Sequence, residues 1–319
     1  MKYSRIIGTG SYLPSKVLTN EDLATIVETT DEWIVDRTGI KRRHIQAPDE
    51  NTSSMAEMAA RKAIDAAGID KNKIQMIIVA TCTPHLLFPN TASSIQQGLG
   101  ITNLACPAFD INVACSGFIY ALSIVDQYIR SGVIDCALVI GADSLSRLID
   151  WSDRSTCVLF GDGAGAAVIK ADDNPGIYST HLHTDGTYGD LLYSEGDIYG
   201  VSARQQIKMQ GNALFKVAVT KLGEVAEEAI EFNKIKKTDI DWFIPHQANL
   251  RIIKATVGRL DLPMEKVILT LEDQGNTSAA SIPLALDIGV RDGRVKPGDL
   301  LLLDAFSAGL AWAAALVRY

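Results

Sequence analysis

An α/β fold with helix-covered sheets is the class this sequence predicts, and three observations carry it. Helical and strand-like patterns alternate along all 319 residues, which favours sheets packed between helices over an all-α or all-β arrangement. Several short apolar runs, such as "CALVIGADS" and "LLLLDAF", have the unbroken character of strands buried on both faces. Two distant stretches also resemble each other. "GIDKNKIQMIIVA" (68–80) lies over "KIKKTDIDWFIPH" (234–246), with Ile69 and Ile74 against Ile235 and Ile240, and "IDCALVIG" lies over "PGDLLLLDA" through Asp135 and Asp299 at nearly the same spacing. The agreement points to a duplication, with one half over residues 1–170 and the other over 171–319.

Taken in order, the opening "MKYSRIIGTGSYLP" reads as strand and turn, because glycines and proline interrupt any apolar stretch of the kind a secretory signal needs. A cytoplasmic protein is expected. "DEWIVDR" suggests a helix with Trp33 and Arg37 on one face. Ser54 and Glu57 have capping-box spacing, after which Met55, Met58, Ala59, Ala63 and Ala66 keep a helical repeat until Gly68 ends it. The strand "MIIVATC" follows. "FDINVACSGFIYALSI" (109–124) then passes from strand to helix, with Phe118, Ala121, Leu122, Val125, Tyr128 and Ile129 at helical spacing.

"GAAVIKA", "WFIPH" and "KVILTL" read as further strands. On "NLRIIKATVGRL", Leu250, Ile253, Val257 and Leu260 form a buried stripe and leave Arg251, Lys254 and Arg259 outward. The most membrane-like stretch, "LLLLDAFSAGLAWAAALV" (300–317), carries Asp304, Ser307 and Gly309 and is barely long enough to span, so two buried strands joined by a turn explain it better.

A formal net charge of −8 argues against a general nucleic-acid or membrane-surface binder, since both partners attract excess Lys and Arg. The five cysteines include no CxxC pair, which points to reduced thiols. A small buried hydrophobe is the default for each. Cys115 stands apart, because it occupies the junction of strand and helix. Unpaired N–H groups and the helix dipole there favour a thiolate, the nucleophilic form; filling space at a crowded turn is the competing reading.

Among the five histidines, His181 and His183 form an HxH pair without further ligands at metal-binding spacing, so no metal site is expected. His44, after Lys41, Arg42 and Arg43, is expected in solvent. His246 ends the strand "DWFIP" at a junction of the same class as that of Cys115, and Asn276 lies in the polar turn "DQGNTSAAS" ahead of another helix. Ligand sites form at strand ends of α/β sheets. Helix capping explains either residue equally well when it is taken singly.

"VACSGF", "PHQANLRII", "QGNTSAAS", "FGDGAGAAV" and "STHLHTDG" together resemble the β-ketoacyl-acyl carrier protein synthase III family of the thiolase-like superfamily, and the likeness extends to "TDEWIVDRTGI" and "ALVRY". Neither "GTGSYLP" nor "GDGAGAA" has dinucleotide-binding spacing. The resemblance implies a five-layered αβαβα fold, a homodimer, and condensation of acetyl-CoA or another short acyl-CoA with malonyl-acyl carrier protein to give 3-oxoacyl-acyl carrier protein, CoA and CO2. It implies no cofactor, CoA being part of a substrate, and no nucleic-acid or membrane partner.

By the same resemblance Cys115 is the nucleophile, His246 and Asn276 complete the triad, and the backbone N–H groups of Cys115 and Ala308 form the oxyanion hole. Ser307 and Ala308 stand where glycines are common, and a positive φ at Ala308 would strain the chain by about 1 kcal/mol. Trp33 and Arg154 are implied to sandwich the adenine of CoA, with Arg37 beside Trp33 as a further CoA contact, and Thr29, Gly211, Phe215, Ala248 and Asn249 to line the pantetheine tunnel. Phe88 and Phe306 are implied to shape the acyl pocket, with Phe88 at the dimer interface. An acidic carrier protein would dock on Arg251, Lys254, Arg259 and Lys216. The alternatives are a starter ketosynthase or acyltransferase of a specialised pathway and a non-catalytic member of the fold. The intact Cys115, His246 and Asn276 disfavour the last.

Overall fold

The computed structural model describes residues 2–196 and 205–319. β1 (Tyr3–Tyr12) is followed by a hairpin of β2 (Lys16–Thr19) and β3 (Arg42–Ile45), which encloses α1 (Asn20–Ala24) and α2 (Asp31–Thr38). Next come α3 (Thr52–Ala67), β4 (Ile77–Ala80), α4 (Thr91–Leu99), β5 (Ala108–Ile111), α5 (Gly117–Arg130), β6 (Cys136–Ser144), α6 (Arg154–Cys157) and β7 (Asp162–Asp172). β8 (Ile177–Thr184), β9 (Leu192–Glu195), β10 (Gln206–Met209), α7 (Gly211–Phe232), β11 (Trp242–Pro245) and α8 (Leu250–Leu260) lead to α9 (Leu271–Gln274), α10 (Ser281–Arg291), β12 (Leu300–Ser307) and β13 (Ala311–Arg318).

Two sheets organise these elements, one in the order β1-β7-β6-β4-β5 and the other β11-β12-β13-β8. Their connectivity is alike: a parallel pair (β4 with β6, β11 with β12) continues into antiparallel β7 or β13 and then antiparallel β1 or β8. Among the described residues, the second sheet has no full strand at the position that β5 holds in the first. "KVILTL", expected as a strand, makes a single bridge, Val267 to Phe243. Its backbone is taken elsewhere, because the Gln247 side chain accepts the N–H groups of Thr270 and Leu271 at 3.0 and 3.2 Å. The run 300–317 does form two buried strands, and no helix among the described residues is long and apolar enough to cross a membrane.

Three apolar clusters define the layers. α3 and α4 cover the outer face of the first sheet through Met55, Ala59, Ala63 and Ile95. α5 and α10 lie between the sheets, where Phe118, Leu122, Ala285 and Leu286 meet Val139 from one side and Leu301 and Leu303 from the other. α7 and α8 close the outer face of the second sheet through Leu222, Ala226, Ile253 and Val257. The result is a five-layered αβαβα sandwich. Its outer packing is tight enough to require glycine in β1, since a β-carbon on Gly10 would lie 2.3 Å from the Ala59 carbonyl oxygen of α3.

Local details differ from expectation. α3 is capped by Asn51, whose side chain accepts the Ser54 N–H while Ser54 Oγ accepts the Asn51 N–H; Glu57 instead pairs with Arg61. Met58 and Ala66 are exposed, while Ala56, Ala60 and Ile64 join Met55, Ala59 and Ala63 on the buried face. His44 is half-buried, its Nδ1 2.6 Å from the Pro14 carbonyl oxygen. Arg43, beside it, is wholly buried and donates to the Leu18 and Val158 carbonyls and to Asn20 Oδ1. Burial lowers its pKa to about 10, so it stays charged at neutral pH.

Candidate active site

Cys115 sits in a 3-10 turn, Ala114–Ser116, between the end of β5 and the start of α5. The turn is sharp because Ala114 takes φ 41°, a left-handed conformation that costs a non-glycine residue strain. Gly117 permits the close approach that follows, since a β-carbon there would meet Ala80 Cβ at 2.8 Å. The thiol does not behave as its helix-end position predicts. Burial pushes its pKa up to about 12, outweighing the opposing hydrogen bonds from the Ser278 hydroxyl and from Cys115's own N–H. Desolvation of a charged sulfur exceeds what a nearby helix dipole supplies. Cys115 therefore rests as a thiol, and its proton must leave as attack begins.

That state has a measurable consequence. Alkylation of Cys115 by iodoacetamide, followed by mass spectrometry of the Cys115 peptide, should accelerate about tenfold per pH unit from pH 7 to 10 without levelling. A plateau below pH 9 would show a thiolate already formed.

His246 ends at the tip of β11, held by its N–H to the Asp304 carbonyl at 2.7 Å. Its Nδ1 lies 2.7 Å from Ser281 Oγ. Burial lowers the imidazole to about 3, so it is neutral at working pH. Asn276 is fixed by its backbone, which exchanges hydrogen bonds with Leu159 and Gly161 at 2.8 and 2.9 Å. Its Oδ1 accepts the Ser278 N–H at 2.9 Å, leaving the amide NH2 to donate elsewhere. Positive φ at Gly275 and Ser278 makes this turn compact.

The turn 276–281 links the elements that carry the three candidates. Ser278–Ala280 packs on the Ala114–Ser116 turn, and Ser281 holds His246. Asp143, at the end of β6, braces the same place. One oxygen accepts from Thr81 Oγ1, the Cys82 and Thr83 N–H groups and Thr83 Oγ1, and the other accepts the Ala279 N–H at 3.2 Å. Sequence reasoning misses Asp143, whose one signal is a lone acid inside an apolar run.

A cavity of about 980 Å³ opens beside Cys115, lined by Cys82, Leu145, Phe160, Ile207 and Ala308 among others. Cys82, expected only to fill space in the interior, thus faces the same cavity, its Sγ 3.3 Å from Asp143 Oδ1 and its pKa driven well above the usual thiol range by burial. Ala308 does not take the positive φ that would strain it; Gly309 does. Ser307, replacing a common glycine, is buried and donates to the Ala311 carbonyl, which also receives Ser116 Oγ. Phe306 is displaced from its expected place: it lines a separate cavity of about 20 Å³ behind His246, with Asp304. Phe88 is 80% exposed and lies outside the large cavity of its own chain, because it caps a protruding loop with Leu86 and Leu87.

On the surface, Trp33 carries two guanidinium groups, Arg154 at 4.6 Å and Arg37 at 5.0 Å from its ring centroid. A base stacked between Trp33 and Arg154 requires Arg154 to swing off the ring. Thr29 Oγ1 nearby is buried without a partner among the described residues. Gly211 opens α7, Phe215 lies 5.8 Å below the Arg251 guanidinium, and Ala248 borders the small cavity beside His246. Asn249 has a structural role, since its side chain caps α8 through the Arg251 N–H and donates to the Arg37 carbonyl. Arg259 also departs from expectation, because it crosses α7 to pair with Glu227 and the Thr220 carbonyl. Arg251, Lys254 and Lys216 remain exposed. His181 and His183 both bond Glu228, and no cluster of three potential metal ligands occurs among the described residues.

Comparison with known proteins matches residues 109–186 to the 3-oxoacyl-[acyl-carrier-protein] synthase III model and residues 230–319 to the model of its C-terminal part. A β-ketoacyl-[acyl-carrier-protein] synthase III of Methylococcus capsulatus is 56% identical, over 100% of this chain and 99% of that one. The crystal structure of 3-oxoacyl-[acyl-carrier-protein] synthase III from Aquifex aeolicus superposes with a TM-score of 0.94 at 48% identity, covering 99% of this chain and 100% of the other. A priming β-ketosynthase of a polyketide biosynthetic pathway superposes with a TM-score of 0.96 at 38% identity, covering 99% and 96%.

Proposed function

The chain belongs to the β-ketoacyl-acyl carrier protein synthase III family, a group of condensing acyltransferases of fatty-acid synthesis, and we propose that Cys115, His246 and Asn276 carry its reaction. The enzyme joins an acyl-CoA to malonyl-acyl carrier protein and so initiates a fatty acid. The observation that supports these assignments is the 276–281 turn, which carries Asn276, packs on the turn that holds Cys115 and bonds His246 through Ser281.

In the first half-reaction the Cys115 sulfur bonds to the acyl carbonyl carbon, the bond to the CoA sulfur breaks, and the thiol proton ends on CoA. Sulfur replaces sulfur, so the exchange is nearly balanced in energy, and the acyl-enzyme divides one hard step into two. The N–H groups of Cys115 and Ala308 stabilise the tetrahedral oxyanion. In the second, loss of CO2 from the malonyl group leaves an electron pair that becomes an enolate. Neutral His246 and the Asn276 amide donate hydrogen bonds to the enolate oxygen. The enolate carbon attacks the acyl carbonyl, the Cys115 sulfur leaves as thiolate, and it takes up one proton from solvent. Neither donor titrates at working pH, which suits a role that begins and ends without charge.

The primer is read as acetyl or another short acyl group. We read the protein as a homodimer, supported by the exposed apolar strip Leu86, Leu87 and Phe88; the first two also line the large cavity, so a second copy seated there would close it. The two halves, 1–170 and 171–319, are read as duplicates, which the matching connectivity of the two sheets supports. The likeness to a priming polyketide ketosynthase favours a starter enzyme of a specialised pathway as the second reading. A panel of acetyl-, propionyl-, branched and longer acyl-CoA substrates tests it: preference for acetyl-CoA supports fatty-acid initiation with a short primer, and preference for longer or branched primers supports the second.

Carrier protein is read as docking on Arg251, Lys254 and Lys216. Arg251→Glu should raise KM for malonyl-carrier protein about tenfold while leaving acyl loading from CoA within about twofold. Equal losses in both assays would remove this docking surface.

A further inference from the structure

We propose that Ser281 is a positioning residue that fixes the proton of His246 on Nε2, so that the imidazole presents a donor, not a lone pair, to the reacting oxygen. The inference rests on the reading of His246 as a donor to the enolate and names the group that makes it one.

Hydrogen-bonding capacity decides the tautomer. Ser281 opens α10 and is fully buried. Its oxygen accepts the Gln247 N–H at 3.1 Å, which engages one of its two lone pairs. It lies 2.7 Å from His246 Nδ1, and among the described residues its hydroxyl has no other hydrogen-bond partner. If Nδ1 carried the proton, Ser281 would accept twice and its own O–H would be buried with no acceptor, an arrangement that folded proteins avoid. If Ser281 donates to Nδ1, the serine hydroxyl and Nδ1 are both satisfied, and the imidazole proton belongs on Nε2, the nitrogen left to face the reacting oxygen.

The supporting shell is rigid. Gln247, following His246, is buried with all its side-chain groups engaged: its NH2 donates to the Pro245 and Ile268 carbonyls and its oxygen accepts from Thr270 and Leu271. This fixes the Gln247 N–H that occupies the serine oxygen, so Ser281 is left one direction in which to donate. Donation to Nδ1 also polarises the imidazole, which strengthens the Nε2–H donor as negative charge develops on the substrate.

The test uses the full-length protein labelled with 15N histidine. Long-range 1H–15N correlation spectra of His246, assigned by comparison with His246→Gln, should show a neutral ring with the proton on Nε2. A proton on Nδ1 in the wild type overturns the proposal whatever the activity. Ser281→Ala should reduce condensation by the pre-acylated enzyme about 10- to 100-fold, leave Cys115 acylation within about twofold, and disturb the His246 ring signals; Ser281→Thr, which restores the hydroxyl, should recover at least part of the lost rate. Full condensation by Ser281→Ala also overturns it, as does a parallel loss of both half-reactions, which a merely structural role produces. If the wild type shows the Nε2 proton but condenses no malonyl thioester, the functional reading fails and the tautomer assignment survives.

Discussion

Cys115→Ala should lose both half-reactions: no mass increase on incubation with acyl-CoA, and a turnover lower by about 10⁴-fold or more. The residual rate would reflect binding and oxyanion stabilisation acting without a nucleophile. Folding should be preserved, because the substitution removes one atom from a turn whose geometry is set by Ala114, Gly117 and the contacts of Ser278–Ala280. Intact-mass spectrometry separates the outcomes, and acylation of the variant at the wild-type level would show that a different group is the acceptor. Cys82 is the group to watch, since it also stands on the cavity wall as a free thiol.

His246→Ala should separate the two half-reactions. Acyl loading persists, because the nucleophile and the Cys115 and Ala308 N–H groups remain, whereas condensation by the acylated enzyme falls by about 10²- to 10³-fold through loss of one donor to the enolate oxygen. The acid limb of the pH profile supplies an independent check. A histidine with an ordinary pKa near 6.5 would become charged as pH falls below that value; burial lowers His246 to about 3, so it remains neutral throughout. Single-turnover condensation should therefore show no inflection near pH 6.5 between pH 7 and 5. A variant that fails to acylate yet condenses normally once acylated would reverse the assignment.

Much of the architecture is legible in the order of residues because its signals are local or periodic. β6 and β12 announce themselves as unbroken apolar runs, and the end of α3 as a glycine that takes φ 63°. What escapes is decided by partners distant in sequence. The run around Val267 has the composition of a strand, yet the N–H groups at its end go to Gln247, which no periodicity can show. Arg43 follows two other cations, but Asn20 Oδ1 and the Leu18 and Val158 carbonyls hold it inside.

The candidate site divides in the same way. The junctions bearing Cys115, His246 and Asn276 can be picked out as polar or reactive residues at ends of apolar runs. The acidity of the thiol cannot, because a sequence displays the helix end and conceals the burial that outweighs it. Arg259 looks like its neighbours along the outer face of α8 until Glu227 of α7 is seen to hold it. Whether Ala308 must take a positive φ is likewise hidden, because it depends on how the β12-to-β13 turn is built; that turn places the positive φ on Gly309.

An experimental structure of the acetylated enzyme with a malonyl-thioester analogue that cannot lose CO2 would show whether the three side chains converge on one reacting group. We expect an acetyl group on the Cys115 sulfur and the analogue's thioester oxygen within about 2.7–3.2 Å of both His246 Nε2 and Asn276 Nδ2. An oxygen held by other groups, or an imidazole turned away from it, would refute the roles given to His246 and Asn276.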